Sequence, residues 1–330
     1  MILNGNSLIF YTVHHSFLSI IGILQSSRQV RELGPWLTAL YDELNGQFTD
    51  FEFVLVNNHC DLSAIDAVLR PLPEDLRKNV FLLNLSAPVS RDNALLAGLD
   101  RANGDYAVVF EFAFAQNPNL ITRMWEMSQT GFDIVYLRAP ERRLPWAYRV
   151  LYHLFYGILH RYSNLRIDTR AHHTRTISRR ALNSLLRLRE NSHYLKAIYA
   201  LVGYNTTALD VDQPLEAEPD TSFGEQFRTA LIAITSFTTF LRSLLWWIFV
   251  SSCLVAGLAI FNAIKVRLTN VDIFGEHHQA VSGWAYLVVM ISVFFAITCL
   301  NLYIMSIYLS NIYSEIKNRP LYIIESVKRY

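Results

Sequence analysis

Two long stretches without charge constrain this chain more than any other feature. From Ser243 to Ile264 the run SLLWWIFVSSCLVAGLAIFNAI has no ionisable side chain except the Cys253 thiol. From Gln279 to Ser314 there is no Asp, Glu, Lys, Arg or His. About 20 apolar helical residues cross a bilayer core, so each run predicts a transmembrane helix, and the second exceeds one crossing. A buried helix of a soluble fold is the plainer alternative, but soluble folds rarely hold two such runs. Two crossings return the chain to the side it left. Arg228 and Arg242 precede the first run, and Lys317, Arg319, Lys328 and Arg329 follow the second. The connecting loop carries Lys265 and Arg267 against Asp272 and Glu276. The bias is modest but favours a cytoplasmic N-terminal domain and C-terminal tail; the expected location is the inner membrane, multi-pass.

Composition agrees. Of 330 residues 52% are hydrophobic and 17% charged, against roughly 25% charged in soluble domains. This excludes a disordered chain and one that coats nucleic acid. The 29 basic and 28 acidic residues name no partner by bulk charge. Cys60, Cys253 and Cys299 are too widely spaced for a disulfide framework or a zinc motif. The first residues lack a basic n-region and a small-residue cleavage site, so no secretory signal is expected. The pairs His14-His15, His172-His173 and His277-His278 invite a metal reading, but no matching Cys or acid completes a ligand set.

The first half alternates between two periods. Leu18–Leu24, Phe51–Val56, Val80–Asn84, Tyr106–Phe110 and Asp133–Leu137 read as strands, with helices over Val30–Asn45, Asn93–Ala102 and Thr122–Thr130. Strands alternating with helices predict an α/β fold with a doubly wound, mostly parallel sheet. Ligands bind beyond the C-terminal strand ends of such sheets, here Asn57–Asp61 and Glu111–Asn117. Residues 138–189 then hold twelve arginines against Glu141 and Asp168. Within them Leu144–Leu165 is aromatic and suits an interfacial helix. Core packing with a solvated basic face is one reading of this segment, and arginines that meet phosphates is the other. The predicted organisation is a cytosolic domain over 1–209 containing the Arg-rich segment 138–189. A linker and juxtamembrane helix over 210–240, two spans over 241–314 and a tail over 315–330 complete it.

This layout resembles the polyprenyl-phosphate glycosyltransferases of glycosyltransferase family 2. The tail Tyr313-Ser314-Glu315-Ile316-Lys317-Asn318-Arg319-Pro320-Leu321-Tyr322 carries the resemblance. So does the run Gly98-Leu99, Gly104-Asp105, Val108-Val109, Pro118-Asn119-Leu120-Ile121 and Gly131-Phe132-Asp133-Ile134-Val135-Tyr136. The resemblance implies a GT-A domain that takes a nucleotide sugar and transfers the sugar to polyprenyl phosphate. It also implies carboxylates that hold a divalent cation, Mg or Mn, against the donor diphosphate.

The chain departs from the pattern at those carboxylates. Asn57-Asn58 replaces an Asp-Asp pair, Glu111-Phe112-Ala113 replaces Asp-X-Asp, and His173-Thr174-Arg175-Thr176 replaces Asp-Phe-Arg-Leu. Gly224-Glu225-Gln226-Phe227-Arg228 stands for Gly-Glu-Ser-Lys-Tyr, and Ile23-Leu24-Gln25-Ser26-Ser27 for Pro-X-Tyr-Asn-Glu. The resemblance gives Asn57, Asn58 and Arg91 as donor-binding residues and Glu111 as the catalytic or metal-binding acid. Arg175, which stands for the family's Arg, and Arg179 and Arg180 from the Arg-rich segment are the expected contacts to lipid phosphate. Two readings follow: a glycosyltransferase with an altered donor site, or an inactive relative that binds lipid phosphate or a partner enzyme. Membrane lipids, a homo-oligomer packed through Ser292, Ala296 and Ser306, or a partner glycosyltransferase are the expected associations. Nucleic acid is not.

Overall fold

Each strand expected between Leu18 and Leu137 forms, most of them longer than the apolar run that marks it. The computed structural model describes residues 14–140, 168, 170–188, 195–214, 240–271, 284–316 and 320–330, with positions 157, 161, 273 and 275. The chain runs β1 (His14–Leu24), α1 (Ser27–Leu44), β2 (Phe48–Asn57), α2 (Leu62–Leu69), α3 (Glu74–Arg77), β3 (Val80–Leu85), α4 (Arg91–Arg101) and β4 (Tyr106–Val109). A 3-10 turn at Phe112–Phe114 precedes α5 (Leu120–Gln129), β5 (Ile134–Arg138), β6 (Ala171–Ser178), α6 (Arg179–Arg187), α7 (Leu195–Leu201) and β7 (Thr206–Asp210). Then come α8 (Phe240–Thr269), α9 (Trp284–Ile316) and β8 (Ile324–Arg329).

Helices α1, α2 and α4 start where the sequence supplies caps. Ser26 accepts from the Gln29 amide at the head of α1, Asp61 from Ser63 at α2, and Ser90 from Asn93 at α4. Helix α1 buries Val30, Leu33, Trp36, Leu37, Leu40 and Leu44, the spacing of a one-sided helix. Its Trp36 packs among Phe53, Phe110 and Phe112 on the sheet.

One eight-stranded sheet in the order β7-β5-β6-β4-β1-β2-β3-β8 organises the first unit. The pairs β1–β2, β1–β4, β2–β3 and β5–β7 are parallel, and β6 and β8 run against their neighbours. The expected α/β sheet is therefore present and mostly parallel, with four parallel pairings against three antiparallel and three strands that sequence reading did not mark. β6 comes from the Arg-rich segment and lies between β4 and β5 with six of its eight residues buried. β7 and β8 form the two edges. Within the tail, Ile324–Arg329 form the strand beside β3. The expected interfacial helix at 144–165 and the segment 215–239 fall largely or wholly outside the described residues.

Close approach of α4 to the sheet depends on Gly98. A Cβ there would lie 2.5 Å from Ile21 Cγ2 and 3.0 Å from Val56 Cγ2, both side chains of fully buried residues. Gly98→Ala is expected to cost about 1–3 kcal/mol by overpacking, measured as a lower thermal midpoint. An unchanged midpoint would show that α4 can move away from β1 and β2.

The chain divides into two compact units, residues 1–145, 165–221 and 320–330 in the first, and 146–164 and 222–319 in the second. In the second unit, Val293–Ser310 of α9 is long and apolar enough to cross a membrane, with mean hydropathy 1.8 and 6% of it buried. Among the described residues it is the one such span; Ser243–Val255 of α8 is a shorter apolar stretch. Trp247, Phe249, Leu254 and Phe261 on α8 are all more than half exposed.

Candidate functional site

The parallel strands bring Glu111 and Arg91 together. Glu111 lies two residues beyond the end of β4, and its amide bonds to the Thr174 hydroxyl on neighbouring β6 at 3.1 Å. Arg91 is the first residue of α4, which follows β3 after a short loop. The Arg91 guanidinium donates to Glu111 Oε1 in a close ion pair. Oε2 of Glu111 accepts from the Thr174 amide at 3.1 Å and from its hydroxyl at 3.2 Å. The ring of His172 stands 3.7 Å from the same oxygen, with its Nε2 bonded to the Gln213 carbonyl at 3.1 Å. Burial alone would push the Glu111 carboxyl up; Arg91, His173, His172 and the Thr174 amide outweigh it and pull the pKa down to about 2.

A narrow cavity of about 30 Å³ opens beside this pair, room for a single water. Gln25, Gln29, Arg91, Glu111, Ala113 and His173 line it above a floor of Ile21, Ile23 and Val109. It lies at the C-terminal ends of β1 and β4, where open α/β sheets bind ligands. Phe112 stacks on Trp36 at 4.8 Å between ring centroids, fixing the turn that follows Glu111. His173 faces Asp92 at 3.8 Å, and Asp92 also accepts from the Leu195 amide.

The other expected site residues are placed differently. Asn57 is buried at the end of β2, where its side chain bonds to Asn84 and to both backbone groups of Cys60. Asn58 holds the loop before α4, donating to the Val89 carbonyl and accepting from the Val89 amide. Both asparagines thus tie the loops around the strand ends to one another.

The three arginines expected to meet lipid phosphate do not form one site. Arg175 is 3% exposed; it donates to the carbonyls of His172 and His173 and lies over the Tyr199 ring at 3.8 Å. Burial lowers its pKa and raises that of Tyr199 to about 12. Because Ser178 pairs with Tyr106, Arg179 and Arg180 come at the opposite end of β4 from Glu111. Arg179 binds the Ala102 and Gly104 carbonyls, and Arg180 binds Asp133. Their partners come from outside the Arg-rich segment, so its local charge excess overstated what they offer a ligand.

Sequence reasoning named Thr174 without a role, passed over Gln29, and gave His173 no place in a pocket. Nothing in Ala171-His172-His173-Thr174 marks a strand that faces Glu111; only the β4–β6 pairing does so.

No family model matches the chain. In sequence it is similar to an uncharacterized glycosyltransferase, sll0501, of Synechocystis sp., at 26% identity over 84% of this chain and 85% of that protein. The uncharacterized glycosyltransferase YkcC of Bacillus subtilis is 24% identical over 94% of each chain. A prophage bactoprenol glucosyl transferase homolog of Escherichia coli is 28% identical over 76% of this chain and 80% of that one. Among solved structures, glucosyl-3-phosphoglycerate synthase of Mycobacterium tuberculosis in complex with Mn2+ and uridine-diphosphate-glucose matches at 12% identity with a TM-score of 0.43, over 67% of this chain and 77% of that one.

Proposed function

We propose, from its likeness to the bactoprenol glucosyl transferases, that this chain is a membrane-attached glycosyltransferase with a GT-A-like sheet domain, passing a sugar from a nucleotide donor to polyprenyl phosphate. The single observation that carries the reading is the Arg91–Glu111 pair at the mouth of the strand-end cavity. In the reaction an oxygen of the lipid phosphate bonds to the anomeric carbon of the sugar. The bond from that carbon to the donor diphosphate breaks, and the nucleoside diphosphate leaves with the electron pair. The acceptor is already anionic, so the step needs no strong base and Glu111 is not required to act as one.

Two spans, through α8 and α9, would hold the protein on the inner membrane, with the sheet unit and the residues after α9 in the cytoplasm. Exposed apolar side chains along α8 and the hydropathy of Val293–Ser310 support this. A second reading, favoured by the Glu111 carboxylate being fully engaged within the protein, is a relative that binds its ligands and transfers nothing.

The test is a transfer assay with the full chain in detergent, labelled uridine and guanosine diphosphate sugars, and polyprenyl phosphate. One donor is expected to give lipid-linked sugar, and Arg91→Gln to slow its formation by about a hundredfold. No product from any donor, with nucleotide binding retained, would select the second reading.

A further inference from the structure

Resting on the donor reading above, we propose that the diphosphate of the nucleotide ligand binds at the mouth of the strand-end cavity, directly on the Arg91 guanidinium, with no divalent cation between protein and ligand. Hard divalent cations need several oxygen ligands, with carboxylates supplying the charge. Among the described residues the pocket is lined by one carboxylate, Glu111, and both of its oxygens are engaged, one by Arg91 and the other by the amide and hydroxyl of Thr174. Two residues on, Ala113 offers only its backbone carbonyl, which accepts from the Gln213 side chain at 3.5 Å. The nearby Asp92 carboxylate faces His173 and accepts from the Leu195 amide. Among the described residues no three of His, Cys, Asp and Glu are grouped to hold a metal ion. A cation approaching Glu111 would have to displace a guanidinium that already neutralises it.

That guanidinium supplies what the cation would have supplied. It carries a fixed positive charge, and its planar fork of N–H donors matches two phosphate oxygens at once. Its side chain is 25% exposed, so it can turn from Glu111 toward a ligand at the cavity mouth. Glu111 is then a positioning residue: it holds Arg91 and balances its charge until a ligand arrives.

Calorimetric titration of the full chain in detergent with uridine and guanosine diphosphate, once with EDTA and once with MnCl2, tests this. Binding is expected to agree within about threefold between the two conditions. Arg91→Gln should weaken it by at least about tenfold, or ~1.4 kcal/mol, and Arg91→Lys should restore part of the loss. Thermal midpoints of the variants establish that they fold. Binding that requires manganese, or an Arg91→Gln protein that binds like the parent, overturns the metal-free pocket and leaves the donor reading standing. No binding of either nucleotide in either condition overturns both.

Discussion

Glu111→Gln is expected to destabilise the sheet unit by about 3 kcal/mol at neutral pH and to flatten its response to acid. Glutamine keeps an acceptor for Thr174 but removes the charge that neutralises Arg91, whose side chain is three-quarters covered. The carboxyl's pKa falls from an ordinary 4.5 to about 2 in the folded protein. A depressed carboxylate pKa gives stability that is complete above the unfolded value and is lost as pH falls through the folded one. The parent should therefore hold its advantage at neutral pH, begin to lose it below about pH 4.5, and lose most of it near pH 2. For a unit of this size the gap corresponds to roughly 6–12 °C in thermal midpoint. Midpoints measured from pH 7 downward should converge; a gap that stays constant with pH would show that the charge is not its source.

Deleting Ile324–Tyr330 should have an effect of similar size, about 2–4 kcal/mol, at the far edge of the same sheet. β8 closes β3 along five paired positions, from Phe81–Arg329 to Leu85–Ile324. Lys328 binds both oxygens of Asp66 on α2, at 2.8 and 2.7 Å, and the Tyr330 hydroxyl reaches the same carboxylate. Ser326 accepts from Asn84 at 2.9 Å, and Arg329 lies over the Phe81 ring. Those contacts pull the Asp66 pKa down, with Lys328 the largest influence and Tyr330 next. Without β8, β3 becomes an unpaired edge rich in apolar residues, which favours aggregation. Hydrogen exchange should show its amides losing more than about tenfold in protection, and Asp66→Asn should reproduce part of the loss. Protection that survives the deletion would mean that β8 adds little to the sheet.

The fold was legible in the sequence where burial is two-sided and apolar. Strands β1 to β4 announce themselves because runs such as Ile20-Ile21 and Val54-Leu55-Val56 are covered on both faces. β6 is equally covered, yet it buries His172, Thr174, Arg175 and Thr176, so its polar letters read as surface. Thr174 and His172 are satisfied by Glu111 and the Gln213 carbonyl, both distant in sequence, which no local pattern reveals. β8 escaped notice for the opposite reason: it is an exposed edge strand with Glu325, Lys328 and Arg329 in its short length. In the site, Glu111 and Arg91 could each be named from the sequence, but not their pairing. Only the crossover through α4 brings together residues 20 positions apart. Arg179 and Arg180 show the reverse, since a charge count over a segment ignores the carbonyls and the acid supplied to them from elsewhere.

The place of β8 also sets a schedule for biosynthesis. Asn84 and its partner Ser326 are 242 residues apart, so at ordinary ribosomal speeds roughly 10–50 s separate their emergence. Throughout that interval β3 has no neighbour on one side, while the two greasiest helices of the chain are still being made. Nascent protein in this state offers a sticky ribbon to any passing strand, which makes translation speed and chaperone supply the natural determinants of its yield.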